Sequence, residues 1–266
     1  MKRIIFSQYN DNINQNTIST NQYKLSQFQK YSAQLEQAQR EYADRCGAEY
    51  VLHKLDITDY DTLQFEKILQ LERYAEEYDQ VLYLDFDVVP NKRAENIFEV
   101  FGDTLAMYPL FRDQHKHELK WNIEHDAYDK QNVYCKTCAK NSMLILDDGE
   151  ISPKLYNTGV TYGSSDAIGK VNTRNLIKNL KFGQQLSDMK LLLDESIEDS
   201  IYPDNITKNF FYNNEVFVTY LVERDNLPCT DMNIHWNFIL DGFQKEPTGM
   251  AHFTHHVNKE FELSFP

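Results

Sequence analysis

The stretch that most constrains the fold is residues 81–91, VLYLDFDVVPN, in which four apolar residues lead directly into two aspartates. Side chains of a strand alternate between its faces, so Asp85 and Asp87 point the same way, with Cα atoms about 7 Å apart, and Phe86 points the other way. A buried carboxylate needs hydrogen bonds or a cation. Because open α/β sheets bind ligands at the carboxyl ends of their strands, the pair predicts a divalent-ion or ligand site. The alternative is a turn before Pro90, in which aspartates bond to nearby backbone.

Composition narrows the class of protein. The chain has 266 residues and is 41% hydrophobic, enough for one large α/β domain or two small ones. A net charge of −14 argues against a nucleic-acid partner, which would need clusters of Lys and Arg. The apolar stretch at the N-terminus is short, and no apolar run of about 18 residues occurs, so we expect a cytoplasmic protein without a membrane insertion. Oligomeric state is left open.

Strand and helix patterns alternate over the first third of the chain. Strands are predicted at 3–9, 48–55 and 81–85, and helices at 22–45 and 61–79. This order is typical of a parallel sheet with right-handed crossovers. Further on, the sequence predicts strands at 104–110 and 142–150, a helix beginning near Ser164 or Ser165, and a helix capped by Asn213 or Asn214. The result is an α/β protein with a nucleotide-type half to about residue 100.

Three histidines lie near the C-terminus in MAHFTHHVNK: His252, His255 and His256. Imidazole complements two carboxylates in a Mn²⁺ site. His252 is preferred as the third ligand, since Phe253 implies a strand whose opposite face is buried. His255 remains the alternative.

Two polar stretches are further candidates for a site. YNTGV places Asn157, Thr158 and Gly159 inside an apolar strand, where a glycine often marks close approach of a ligand or backbone, or else a bulge. NNEV places Asn214 and Glu215 in the first turn of a helix, where a carboxylate is also expected for capping.

Trp236 has two interpretations, and so does the pair of Cys135 and Cys138. Trp236 can stack on a sugar ring or belong to the core. Cys135 and Cys138, with His115 and His117 upstream, can form a zinc site, although this is half of the usual motif and reduced thiols are the default.

These pieces resemble the GT-A fold of nucleotide-sugar-dependent glycosyltransferases, in particular the glycogenin-like and galactomannan-galactosyltransferase-like families. The matching segments are IIFSQYNDN, FEKILQLERYAEEYDQVLYLDFDVVPN, YNTGV, NNE and AHFTHHVNK. The resemblance implies a Rossmann-like, mixed and mostly parallel sheet flanked by helices. It also implies one compact domain over 1–266, with a nucleotide-sugar-binding half at 1–100 and an acceptor-binding half at 101–266.

The resemblance also implies roles for individual residues. Asp87 and His252 would bind Mn²⁺ or Mg²⁺, and Asp85 would touch the metal or the ribose. The remaining donor-binding residues would be Tyr9, Asn10, Lys67, Phe86 and Lys259, the last at the diphosphate. The sugar and acceptor side would be lined by Asn157, Thr158 and Gly159, with Glu215 nearby. Asn214 and Trp236 are further candidates for substrate binding on the basis of their residue types, and Glu215 and Asn157 are the candidates for catalytic roles. The donor would be a UDP-sugar and the acceptor a hydroxyl, for example of a glycan.

The chemistry of such a transfer fits this set of residues. Negative charge develops on the leaving diphosphate, and a metal ion stabilises it. An inverting reaction needs a base for the acceptor hydroxyl, with Glu215 as the candidate. A retaining reaction needs no dedicated base, and the glycogenin-like similarity favours retention.

Two other functions remain open. VLYLDFDVV also resembles the motif of haloacid-dehalogenase-type phosphohydrolases, in which Asp85 would be the nucleophile and Asp147 and Asp148 would supply later ligands. That motif normally opens its domain, whereas two strand-helix units precede it here. The chain could also be a non-catalytic module that binds sugar nucleotides.

Overall fold

The computed structural model describes residues 1–10, 20–55, 60–115, 124, 132–171, 213–240 and 250–265. His117, most of the polar stretch 112–132 and the charged stretch 183–209 lie outside the described residues. Within the described part, no helix is both long enough and apolar enough to cross a bilayer.

The described helices and strands follow the predicted alternation in the first third of the chain. The helices are α1 (Thr20–Cys46), α2 (Tyr60–Ala75), α3 (Ile97–Phe101), α4 (Val133–Leu146), α5 (Ser165–Val171) and α6 (Asn214–Arg224). The strands are β1 (Arg3–Asn10), β2 (Glu49–Leu55), β3 (Gln80–Leu84), β4 (Val88–Pro90), β5 (Leu105–Phe111), β6 (Lys154–Ser164), β7 (Cys229–Asp231), β8 (Phe238–Ile239) and β9 (Phe253–His255). Short 3₁₀ turns cover Arg112–His115, Ile234–Trp236 and Phe261–Leu263.

The strands form two sheets. The larger has six strands in the order β2-β1-β3-β6-β5-β7, and the smaller has the order β4-β9-β8. Strand β1 is parallel to both β2 and β3, and β6 runs antiparallel to β3. The predicted class, α/β with a mixed and mostly parallel sheet flanked by helices, is confirmed.

Strand β3 lies in the interior because β1 and β6 cover both of its edges. All five of its residues are buried, and Leu82 packs with Ile5 of β1 and Tyr162 of β6 in one apolar cluster. This explains the unbroken apolar run before Asp85, which is typical of a central strand with both faces covered. The aspartates therefore begin where the buried strand ends.

Residues 142–150 were predicted as a strand that ends in a turn, and this prediction is wrong. The apolar residues of this segment complete helix α4, whose first turn is capped by the Asn132 side chain accepting from the Cys135 amide. The Asp-Gly pair ends the helix: Asp148 has a φ of 55°, and the Gly149 amide donates to the Leu144 carbonyl. A short apolar run fits a strand or a buried helix equally well, and here helix packing decided.

The chain divides into two compact units. The first consists of Met1–Tyr108, Gly159–Gly169 and Thr230–Pro266, and the second of Pro109–Thr158 and Lys170–Cys229. The predicted functional halves, 1–100 and 101–266, stay a prediction.

Candidate active site

The two aspartates lie in a tight connection from β3 to β4. The Asp85 amide donates to the Gly159 carbonyl of β6 at 2.7 Å, and the Asp85 carbonyl accepts from the Val88 amide at 2.9 Å. A backbone turn is therefore present, as the alternative interpretation expected. The carboxylates are engaged elsewhere, so turn formation does not account for both of them.

His255 completes a cluster with these carboxylates. Strand β9 pairs antiparallel with β4, and this register sets His255 opposite Val88, next to Asp87 in the chain. The His255 Nε2 lies 3.4 Å from Oδ1 of Asp87 and 3.7 Å from Oδ2 of Asp85. One ligand atom from each of the three residues falls within 4.8 Å of the others.

His252, the first choice from sequence, lies outside this cluster. Its ring stacks on Trp236 with centroids 4.1 Å apart, and its Nδ1 accepts from the Glu95 amide at 3.3 Å. Because residues alternate along β9, His255 shares a face with Phe253. That face holds both a core side chain and a candidate ligand. The alternative, His255, is the histidine that the structure brings to the aspartates.

Two lysines and a tyrosine donate hydrogen bonds to the carboxylates of Asp85 and Asp87. The Lys259 ammonium donates to Oδ2 of Asp87. The Lys67 ammonium donates to Oδ1 of Asp85 at 3.3 Å, and the Tyr83 hydroxyl donates to the same oxygen at 2.5 Å. Sequence reasoning selected the lysines through the family resemblance but missed Tyr83, although its position two residues before Asp85 on one strand was a usable signal.

The opposite charges in this cluster stabilise one another. Burial raises the pKa of Asp87, but the positive charges of Lys259 and His255 outweigh it and hold the pKa well below its usual range. Burial lowers the pKa of His255, but Asp87 and then Asp85 reverse this effect and raise it overall. Burial also raises the pKa of Tyr83, so its hydroxyl is a proton donor.

An aromatic cluster adjoins the carboxylates. Tyr9 and Phe86 lie 5.1 Å apart between ring centroids, and Phe28 lies 5.7 Å from Tyr9. The Lys259 ammonium lies 5.2 Å from the centre of the Phe28 ring. The structure thus brings Lys259, Phe86 and Tyr9, all predicted on the donor side, into one neighbourhood. Asn10, at the end of β1, is buried.

The second unit contains its own buried polar cluster. The Asn157 amide group donates to Oε1 of Glu215 at 2.7 Å, and the Lys136 ammonium donates to Oε2 at 2.5 Å. The Thr158 hydroxyl donates to the Asn214 side chain at 3.2 Å. Both Glu215 oxygens are therefore engaged. Lys136 was missed, because a lysine within a buried helix has no local pattern that marks its partner.

Trp236 belongs to the core. It is 3% exposed, and its ring contacts Phe101 and Phe253 edge to face. This burial favours the core interpretation over sugar stacking.

The proposed zinc and phosphohydrolase ligands are not gathered around a cation site in the described part of the chain. Cys135 and Cys138 are buried on α4. The residues that the structure describes contain one cluster of ligand groups, Asp85, Asp87 and His255, without Asp147 or Asp148. Asp147 instead accepts from the Tyr220 hydroxyl.

The cluster of Asp85, Asp87 and His255 suits a divalent cation. Two carboxylates and one imidazole match the preferences of Mn²⁺, and the carboxylates also suit Mg²⁺. The Nδ1 atom of His255 is buried and has no hydrogen-bond partner among the described residues. The Nε2 atom faces both carboxylates, so it is the nitrogen that a cation in this cluster would contact.

No protein-family model matches this chain, and no curated protein matches it. Solved structures that are similar over nearly the whole chain include the following three glycosyltransferases. A glycosyltransferase involved in glycosylation of the major capsid of PBCV-1 is 14% identical with a TM-score of 0.47, covering 100% of both chains. Mouse xyloside xylosyltransferase 1 in its apo form is 13% identical with a TM-score of 0.47, covering 97% of this chain and 98% of the other. An active-site mutant of LgtC is 12% identical with a TM-score of 0.47, covering 96% of this chain and 87% of the other.

Proposed function

We propose that this protein is a metal-dependent glycosyltransferase of the GT-A fold that transfers a sugar from a nucleotide-diphosphate donor, a UDP-sugar, to a hydroxyl acceptor such as a glycan. The observation that carries the proposal is the convergence of Asp85, Asp87 and His255 with Lys259 at the carboxyl end of β3. Three ligand groups beside an ammonium group suit a diphosphate bound through a divalent cation.

Residues of the first unit have different roles in donor binding. Asp85, Asp87 and His255 would hold Mn²⁺ or Mg²⁺, which supplies a Lewis acid for the charge on the leaving diphosphate. Lys259 supplies a second positive charge, and its ammonium group can donate a hydrogen bond to an oxyanion of the sugar nucleotide in place of Asp87. The half-buried ring of Tyr9 offers an apolar surface for the base, and the buried ring of Phe86 packs against it.

Retention is the proposed stereochemical outcome. An inverting enzyme needs a carboxylate that accepts a proton from the acceptor hydroxyl. Both oxygens of Glu215 already accept hydrogen bonds within the protein, one from the Lys136 ammonium and one from the Asn157 amide group. We therefore assign Glu215 and Asn157 a structural role on the acceptor side of the protein.

Calorimetry with UDP, GDP, CDP and ADP, each with and without Mn²⁺, tests the proposal. We expect UDP to bind only with Mn²⁺ and expect this binding to be lost in Asp87→Ala. Asp44→Ala is the matched control, because Asp44 is exposed on α1. A UDP-sugar should then be turned over, with transfer to water as the minimal assay.

Other outcomes would support the other functions. Release of phosphate from phosphomonoesters with Mg²⁺, abolished in Asp85→Asn, would indicate a phosphohydrolase. Binding of UDP without turnover of any sugar nucleotide would indicate a binding module. Absence of nucleotide binding under all conditions would overturn the proposal.

A further inference from the structure

The pair Tyr83 and Asp85 has a geometry that donor binding alone does not explain. The two residues lie on the same face of the β3 strand and its extension, and the Tyr83 hydroxyl donates to Oδ1 of Asp85 at 2.5 Å. Lys67 donates to the same oxygen at 3.3 Å, and its ammonium lies 5.0 Å from the centre of the Tyr83 ring. Two donors thus converge on one carboxylate oxygen.

Tyr83 is itself held in place. Its side chain is buried, with the residue 3% exposed, and its ring packs against Phe6 with centroids 5.1 Å apart. Phe6 in turn contacts Tyr74 of α2 at 5.0 Å. Close packing around this ring restricts its movement and so holds its hydroxyl beside Asp85.

The other oxygen of Asp85 has different surroundings. Oδ2 lies 3.7 Å from Nε2 of His255, and it would be 2.9 Å from a Cβ at Gly159. Rotation of the carboxylate plane would break the hydrogen bonds that Oδ1 accepts from Tyr83 and Lys67 and would leave the buried Tyr83 hydroxyl without its partner. The carboxylate is therefore oriented, with Oδ2 directed towards His255.

We propose that Tyr83 is a positioning residue for the cation site, one that occupies Oδ1 of Asp85 so that Oδ2 alone faces the cation. This inference rests on the metal dependence in the proposed function. Asp85 would then offer the cation one oxygen, Oδ2. Partners that orient a metal ligand in this way typically contribute a factor of about 10–100 to metal affinity.

Titration of the protein with Mn²⁺, followed by electron paramagnetic resonance, tests this role without an activity assay. Tyr83→Phe keeps the ring and removes the hydroxyl, and we expect its Kd for Mn²⁺ to rise about tenfold. The matched control is Tyr42→Phe, since Tyr42 is fully buried and its hydroxyl donates to the Glu95 carbonyl at 2.8 Å. The control should retain the wild-type Kd. In an Asp85→Asn background, Tyr83→Phe should have no further effect on Mn²⁺ affinity.

The outcomes separate this inference from the proposed function. Absence of Mn²⁺ binding by the wild-type protein would overturn metal dependence and this inference together. A wild-type protein that binds Mn²⁺, with a Tyr83→Phe Kd within twofold of it, would overturn the positioning role alone. A crystal structure of the wild-type protein with Mn²⁺ gives a test that needs no variant: both Asp85 oxygens on the metal would contradict the inference, and Oδ2 alone, with Tyr83 on Oδ1, would support it.

Discussion

Gly159 and His255 lie in direct contact: a Cβ at Gly159 would come within 2.5 Å of Cε1 and 2.8 Å of Nδ1 of the His255 ring. The same Cβ would lie 2.9 Å from Oδ2 of Asp85. Real Cβ atoms do not approach other atoms so closely, so the glycine allows β6 to pass beside the cluster. The close approach that a glycine within a strand predicts is observed here with two candidate ligands.

Gly159→Ala should therefore displace His255 or Asp85 and weaken Mn²⁺ binding by about tenfold, because a misplaced ligand loses most of its contribution. Calorimetric titration with Mn²⁺ measures the change. Gly169→Ala is the control: no atom lies within 4 Å of its Cβ position, and alanine favours the helix α5 that contains it. Equal affinity in both variants would contradict the argument.

Parallel substitutions show which of the two histidines, His255 or His252, binds the metal. His255→Ala should lower Mn²⁺ affinity by at least tenfold, because the ring lies 3.4 Å from Asp87. His252→Ala should leave the affinity within about twofold, since its ring stacks on Trp236 outside the cluster. Electron paramagnetic resonance of bound Mn²⁺ gives both values. The reverse pattern would restore His252 as the ligand.

The ion pair of Lys136 and Glu215 should be important for stability. Both residues are buried, so Lys136→Met leaves an unpaired carboxylate and should reduce the free energy of unfolding by about 3–5 kcal/mol. Urea denaturation measures this change. Combining Lys136→Met with Glu215→Leu removes both charges and should recover much of the loss. Arg40→Ala, which breaks an exposed pair with Glu36, should change stability by less than about 1 kcal/mol.

His256 predicts a dependence of stability on pH. Burial lowers the pKa of His256 from 6.5 to about 4 in the folded protein. Between these values the unfolded chain binds more protons, so stability is fully present above about pH 6.5 and falls as the pH drops towards 4, by at most about 3 kcal/mol.

A His256→Gln variant tests this contribution, because glutamine does not titrate. Urea denaturation of both proteins at several pH values between 4 and 7.5 gives the difference in the free energy of unfolding. We expect this difference to be constant above pH 7. Below pH 6 we expect the wild-type protein to lose stability relative to the variant. Parallel pH profiles would contradict the buried neutral state of His256.

Some of the site was predictable from local sequence. The apolar run before Asp85 indicates a buried strand, which the structure has. Asp85 and Asp87 lie in the connection between β3 and β4 rather than on a strand, so alternation does not place them, but their carboxylates meet in one cluster. Asn213 was one of the two predicted caps of α6, and its side chain accepts from the Glu215 amide at 2.9 Å. The buried strand and the helix cap depend on an apolar run and on capping, which act over a few residues.

Other parts could not be predicted because they depend on contacts between distant segments. The segment 142–150 contains a short apolar run that fits either a strand or a buried helix, and the packing of α4 decided between them. Lys136 gives no local sign of a partner on α6. Roles for the donor-side residues came from family resemblance, not from their patterns.

The sequence by itself determined the first βαβαβ pattern and the two carboxylates at the end of β3, because hydrophobic periodicity and residue type are local properties. Only the tertiary structure decided that His255 rather than His252 meets these carboxylates. That choice follows from the pairing of β9 with β4, which sets His255 opposite Val88. Strand register depends on backbone hydrogen bonds and on side chains from both strands, so two neighbouring histidines in one stretch of sequence give no means of choosing between them.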